Sequence, residues 1–247
     1  MKKMKAYVLT AVIFCISFFS SHSNAQQMTS DNKSLNDKEK SIIIISSLAA
    51  KGDLDKLKTG LQEGLDAGLT VNEIKEVLVH LYAYCGFPRS IRGLQTFMEV
   101  LKDRVAKGIN DTTGKAASPV NTDDSKYERG KKVLGELTKM PQPKTLSGYS
   151  AFAPVIDTFL KEHLFADIFE RDVLSYAQRE LVTISVIATI GNADPMLQSH
   201  LGISLNVGIT SEQLKEFVKI IKTTVGKKNA KSAVVVLEQV LKSRQLQ

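Results

Sequence analysis

The sequence predicts an all-α protein built from two pseudo-repeats of helical hairpins. Three observations carry this. Apolar residues recur at helical spacing through most of the chain after Lys38, and no segment alternates as a half-buried strand would. Glycines at Gly52, Gly68 and Gly86 punctuate the periodic runs. The chain also falls into register with itself, without a gap, when it is shifted by 140 residues.

Residues 1–25 read as an export signal. Lys2, Lys3 and Lys5 precede the apolar run "AYVLTAVIFCISFF", and "SNA" offers small residues for cleavage before Gln26. The run is short for a membrane span, so the cleaved chain is expected to hold no stable membrane insertion. An uncleaved anchor is the alternative. Removal of the segment lowers the formal net charge from +7 to +4. That surplus, with no basic stripe and no Trp, does not point to a nucleic-acid partner. The exported chain would keep one cysteine, Cys85, so no internal disulfide is expected. The expected location is periplasmic or secreted.

Residues 26–37 are polar and read as a flexible tail. From Lys38, "SIIIISSLAA" is assigned to a buried helix, because the helical pattern continues past it; a strand is the alternative for this segment alone. Helices follow near 53–67, 71–84 and 90–105, and the first repeat is set at 38–105. The run 106–126, rich in Gly, Ser, Thr, Asn and Asp, reads as a linker. The second repeat is set at 127–247, with helices from Tyr127 and near 149–165, 177–190, 195–207, 211–225 and 229–246.

The self-match is specific. Leu57, Leu61 and Leu65 fall on Leu197, Leu201 and Leu205; Gly68 and Thr70 fall on Gly208 and Thr210; Lys75 and Glu76 fall on Lys215 and Glu216; Gly86 falls on Gly226. "GLTVNE" and "GITSEQ" have a local mechanism. Each glycine can end a helix in a left-handed conformation. Each threonine can cap the next, with Glu73 or Gln213 completing a capping box.

The segment "RELVTISVIATIGNADPMLQSHLGISLNVGITSEQLKEFVKII" (Arg179–Ile221) resembles the central signature of the carboxymuconolactone decarboxylase family. "YERGKKVLGEL" and "FLKEHLFADIFERDVLS" resemble that family's lead-in helices. "LTVNEIKEVLVHLYAYCGFPRSI" (Leu69–Ile91) resembles the later part of the same signature. The resemblance implies the all-helical AhpD-like fold and an oligomer, for a tandem chain a homotrimer. It implies either a lactone-acid decarboxylase or a thiol-dependent, alkylhydroperoxidase-like peroxidase.

The peroxidase branch needs two cysteines spaced Cys-x-x-Cys, with a histidine four residues on, because one thiolate attacks and the other resolves. Counted back from His200, those positions are Met196 and Ala193; in the first half they are Lys56 and Asp53. Cys85 lies elsewhere, at a helix end, with Val225 as its repeat equivalent. It reads as a packing residue.

By resemblance, Glu180 and His200 are the candidate catalytic pair. A hairpin turning near residues 191–193 places them roughly 4–5 Å apart along its axis. A carboxylate can orient an imidazole, and the pair can then deliver and remove protons, as decarboxylation or isomerisation requires. The alternatives are a satisfied core histidine and a glutamate that complements a helix dipole. The shift of 140 maps these two onto Lys40 and Gly60, so no second site of this kind is expected.

Tyr82, Tyr84 and Arg89 are candidate substrate-binding residues. A guanidinium can hold a carboxylate in two-point contact, although a solvated helix start would explain Arg89 as well. No histidine or cysteine spacing suggests a metal site, and no glycine-rich phosphate loop appears. No cofactor is expected. The expected partner is a small, anionic substrate. A non-catalytic, exported binding protein is the other reading: a cleft at Glu180 and His200 favours the enzyme, and a filled core around His200 favours the binding protein.

Overall fold

The computed structural model describes residues 34–120, 122–143 and 145–246. The predicted export signal and most of the predicted tail lie outside them. All regular structure among the described residues is helical. In order, the helices are α1 (Asp37–Lys51), α2 (Leu54–Asp66), α3 (Val71–His80), α4 (Tyr82–Ala106), α5 (Lys126–Thr138), α6 (Gly148–Phe152) and α7 (Pro154–Phe159). A π-helical segment, π1 (Leu160–Phe169), continues α7. Then come α8 (Tyr176–Ile190), α9 (Asp194–Asn206), α10 (Ser211–Thr224) and α11 (Lys227–Gln245).

The repeat is visible helix by helix. Helices α1 to α4 answer to α8 to α11: the first three pairs start at an offset of 139 or 140 residues, and α4 answers to α11 from its kink at Gly86 onward. The repeated corners form as their chemistry dictates. Gly68 and Gly208 take φ of 91° and 99°, values that a side chain would oppose. Thr70 and Thr210 have the same backbone angles, and each accepts from the backbone N–H three residues on. Glu73 and Gln213 return the bond, which closes both capping boxes.

The centre of the molecule is α1 packed on α8. Both helices are apolar on most faces, which suits burial on all sides. Ile42, Ile43 and Ile45 of α1, and Val182, Ile184 and Val186 of α8, are fully buried. The β-branched run of α1 is therefore a helix, because tertiary burial outweighs its modest intrinsic cost. The outer helices wrap this pair crosswise: α3 reaches α8, and α10 reaches α1. Each crossing carries a buried or half-buried ion pair. Glu76 of α3 meets Arg179 of α8 at 2.7 Å, and Glu216 of α10 meets Lys40 of α1 at 3.5 Å.

Two details depart from the sequence reading, and a third adds to it. The predicted helix near 149–165 is broken at Ala153, and its second part runs on as π1. The break follows from Pro154, and the π segment packs closely on α5. A Cβ on Gly130 of α5 would sit 1.7 Å from the Lys161 carbonyl oxygen. Secondly, α5 to π1 have no counterpart among the described residues of the first half; they build a satellite core of Val133, Leu137, Phe165 and Phe169. Thirdly, the segment read as a linker is stitched down. Val71 and Asn72 donate to the carbonyls of Thr112 and Thr113, Arg104 clasps Asp111, and Ser118 donates to Asp172.

Candidate active site

Helix α8 ends at Gly191, and the chain turns through Asn192 at φ 54° into α9. The turn folds α9 back on α8 and brings Glu180 to His200. Glu180 Oε2 accepts from His200 Nδ1 at 2.9 Å. Glu180 is wholly buried, and His200 retains a small exposed edge. The bond fixes the histidine tautomer, because Nδ1 carries the donated proton. Nε2 makes no hydrogen bond to the described residues and His200 lines a cavity.

That cavity has a volume of about 660 Å³. It lies between the α8–α9 hairpin, the start of α4 and the α5–π1 hairpin. Leu134, Leu160, Leu164, Phe165, Ile187 and Ile203 give it an apolar wall. Tyr84, Ser199 and His200 form a polar end, and Asp157 and Lys161 add a second polar group. The latter two are a closed ion pair. Lys161 Nζ reaches both Asp157 oxygens, at 2.7 and 2.6 Å, and Tyr127 at 3.0 Å. Because α5 to π1 supply so much of the wall, sequence reading of the repeat alone missed it.

Tyr84 is on the cavity wall as a substrate-binding residue would be, while Tyr82 and Arg89 do not line it. Tyr82 stacks on Phe87 at 4.5 Å between ring centroids and leans on His163. Arg89 is exposed, with its guanidinium lying over Gly52 at the end of α1. The kink at Gly86, φ 81°, separates the two fates: residues before it face the second half, and residues after it restart the helix along the first.

Tyr84 sits between two histidines. Its ring is edge-on to His200 at 5.8 Å and tilted to His80 at 5.6 Å. His80 is fully buried. Arg179 Nη1 can only donate, so His80 Nδ1 accepts that bond at 3.2 Å; Nε2 then donates to Thr183 Oγ1 at 3.0 Å. Thr183 passes its own proton to the Arg179 carbonyl. Burial, reinforced by the Arg179 guanidinium and by His200, holds His80 well below the usual histidine range, so it stays neutral. Arg179 is also fully buried and is held by Glu76, which Arg171 grips in turn. This network escaped the sequence reading, since its members lie 95 to 103 residues apart. The one signal was that Glu76 keeps its identity under the 140-residue shift.

The positions that redox relatives would fill with cysteine, Ala193 and Met196, stand on the cavity wall beside His200. Neither carries a thiol. Cys85 donates to the Leu81 carbonyl at 3.2 Å, and burial pushes its thiol up to about 11. It is a poor nucleophile at neutral pH. Among the described residues no cluster of His, Cys, Asp or Glu is arranged to hold a metal, and no helix is long and apolar enough to cross a membrane.

Fold and hairpin together define an all-α protein with a histidine–carboxylate pair at an apolar cavity. The profile of the carboxymuconolactone decarboxylase family matches residues 23–97 and 154–239. The chain belongs to that family, and its helices form the AhpD-like fold. It is 27% identical over 121 residues to a 4-carboxymuconolactone decarboxylase of Acinetobacter baylyi, a match covering 49% of this chain and 90% of the relative. It is 27% identical over 90 residues to an uncharacterized protein of Methanocaldococcus jannaschii, covering 36% and 84%. Relatives matched over most of their own length thus account for half or less of this chain, as a tandem arrangement requires.

Proposed function

We propose that the chain is an exported, cofactor-independent lyase or isomerase of this family, acting on a small carboxylated lactone or related acid. His200 transfers the proton. Glu180 orients the ring and balances the charge of its protonated form. In a decarboxylation, loss of carbon dioxide leaves an electron pair on carbon, spread into a neighbouring carbonyl. A proton from Nε2 quenches that carbanion. The apolar wall strengthens such electrostatic contacts by excluding water.

The observation that carries this reading is the 2.9 Å contact between His200 and Glu180 at the edge of the cavity. A histidine satisfied within the core would have both ring nitrogens engaged, as His80 has, whereas His200 Nε2 is left open at the cavity. The test is a screen of lactone acids and related small acids, scored by substrate loss and by deuterium uptake from heavy water. Wild type should turn over at least one candidate, and His200→Ala should lose roughly 100-fold or more of the rate. Equal turnover by the variant would remove His200 from the mechanism.

Export is supported by the signal-like pattern of residues 1–25. Self-association, as a trimer, is supported by the apolar side chains that the described residues leave open, among them Phe87, Phe152 and Phe159. Light scattering on the purified chain tests the second point: a monomer at all concentrations would refute it.

A further inference from the structure

Two buried polar atoms next to His200 lack a hydrogen-bond partner among the described residues: Glu180 Oε1 and the Tyr84 hydroxyl oxygen. A buried, unpaired oxygen costs on the order of 1–3 kcal/mol, and more when charged, so each calls for an explanation. One is an acceptor and the other can donate. They belong to opposite halves of the molecule, α8 and α4, and they are close enough to influence each other. The Glu180 carboxylate, after burial itself, helps to push the Tyr84 phenol above its ordinary range, so the phenol keeps its proton at neutral pH. Thr183 also lies near the Tyr84 hydroxyl. Thr183 donates to the Arg179 carbonyl and accepts from His80, and the Tyr84 hydroxyl makes no hydrogen bond of proper geometry to its remaining acceptor site.

We propose that Tyr84 is a positioning residue for the Glu180–His200 pair, its phenol donating to Glu180 Oε1 in solution. The proposal rests on the reading of that pair given above and assigns the first half a part in it. Hydrogen bonds at such sites are often long in unliganded structures. Glu180 would then accept from Tyr84 on one oxygen and from His200 on the other. The first bond draws charge from the carboxylate and so weakens its hold on a protonated His200. The donor comes from the first half, and its repeat equivalent, Thr224, is no phenol.

The other charged or titratable groups near His200 are these. His80, on α3, is buried and neutral. Arg179, on α8, bonds His80 and Glu76 through Nη1 and Nη2, and its buried Nε has no partner among the described residues. Asp157 and Lys161, across the cavity on α7 and π1, are paired with each other. Arg244, on α11, bonds Gly202 and Asn206 of α9.

The test needs no substrate. The His200 ring is titrated by NMR in the full chain, in wild type, Tyr84→Phe and Glu180→Gln. Loss of the Tyr84 hydroxyl leaves the carboxylate more basic toward His200, so the Tyr84→Phe midpoint should rise by about half a unit or more. Replacement of tyrosine by meta-fluorotyrosine, a stronger donor, should move it down. A Tyr84→Phe midpoint equal to wild type overturns the proposal and leaves the hydroxyl to Thr183. Glu180→Gln keeps the two failures apart. A lowered midpoint in that variant upholds the Glu180–His200 pair whatever Tyr84 does, and an unchanged one removes the pair and the proposal together.

Discussion

The two halves of the chain share a backbone plan and differ at the positions to which we assign the chemistry. In the second half, α8 and α9 carry Glu180 and His200 beside a cavity. In the first, the same positions on α1 and α2 are Lys40 and Gly60. Lys40 turns outward to Glu216 and Asp37. Gly60 lets α2 close on α1, so that even a Cβ there would lie 3.3 Å from Ile44 and 3.4 Å from Leu48. The neighbours differ in the same sense. Thr183 answers to Ile43, which is fully buried, and His80 answers to Ile220. The α10–α1 crossing keeps only the half-buried Lys40–Glu216 pair and has isoleucine where the α3–α8 crossing places the His80–Thr183 bond. Duplication thus allows one copy to specialise in holding the fold while lending side chains to its twin.

The largest expected effect comes from breaking the network that joins the halves. Glu76→Ala would strand Arg179, whose guanidinium is buried, and should destabilise the chain by roughly 3–5 kcal/mol. Chemical denaturation checks this, and a loss under about 1 kcal/mol would mean that the pair behaves as a surface contact. Gly60→His installs the second half's residue in the first. With Ile44 and Leu48 so near, it should cost about 1–3 kcal/mol through overpacking and create no activity. A variant as stable as wild type would show that the first half has room for a site. The smallest effect sharpens the symmetry itself. Thr70→Ala and Thr210→Ala each remove one cap of matching geometry and should each cost about 1 kcal/mol. Denaturation curves that differ by more than that between the two would show that the halves are unequal even in their shared corners.

Much of this was legible in the sequence, and the reasons are local. Capping boxes at Thr70 and Thr210, and the glycine corners before them, depend on a few adjacent residues, so the chain announces them directly. The meeting of Glu180 with His200 also needs only one hairpin. What the sequence hid depends on contacts between distant helices. Glu76 and Arg179 look like surface charges until α3 is laid across α8. The π turns of Leu160–Phe169 lie where the Lys161 backbone comes against Gly130 of α5, a contact that no periodicity within 160–169 reveals. For Arg89 the sequence leaves a carboxylate clamp and a solvated helix start both open; the kink at Gly86 places its side chain, exposed, over Gly52, away from the cavity wall.

The central claim is that proton-transfer chemistry resides in the second half alone, at His200. A crystal structure with a turned-over acid, or its inert analogue, tests this most directly. The account predicts the ligand in the cavity, with a polar atom within hydrogen-bonding distance of His200 Nε2, and no ligand between α1 and α2 at Gly60. A ligand bound away from His200, or one seated equally in both halves, would contradict it.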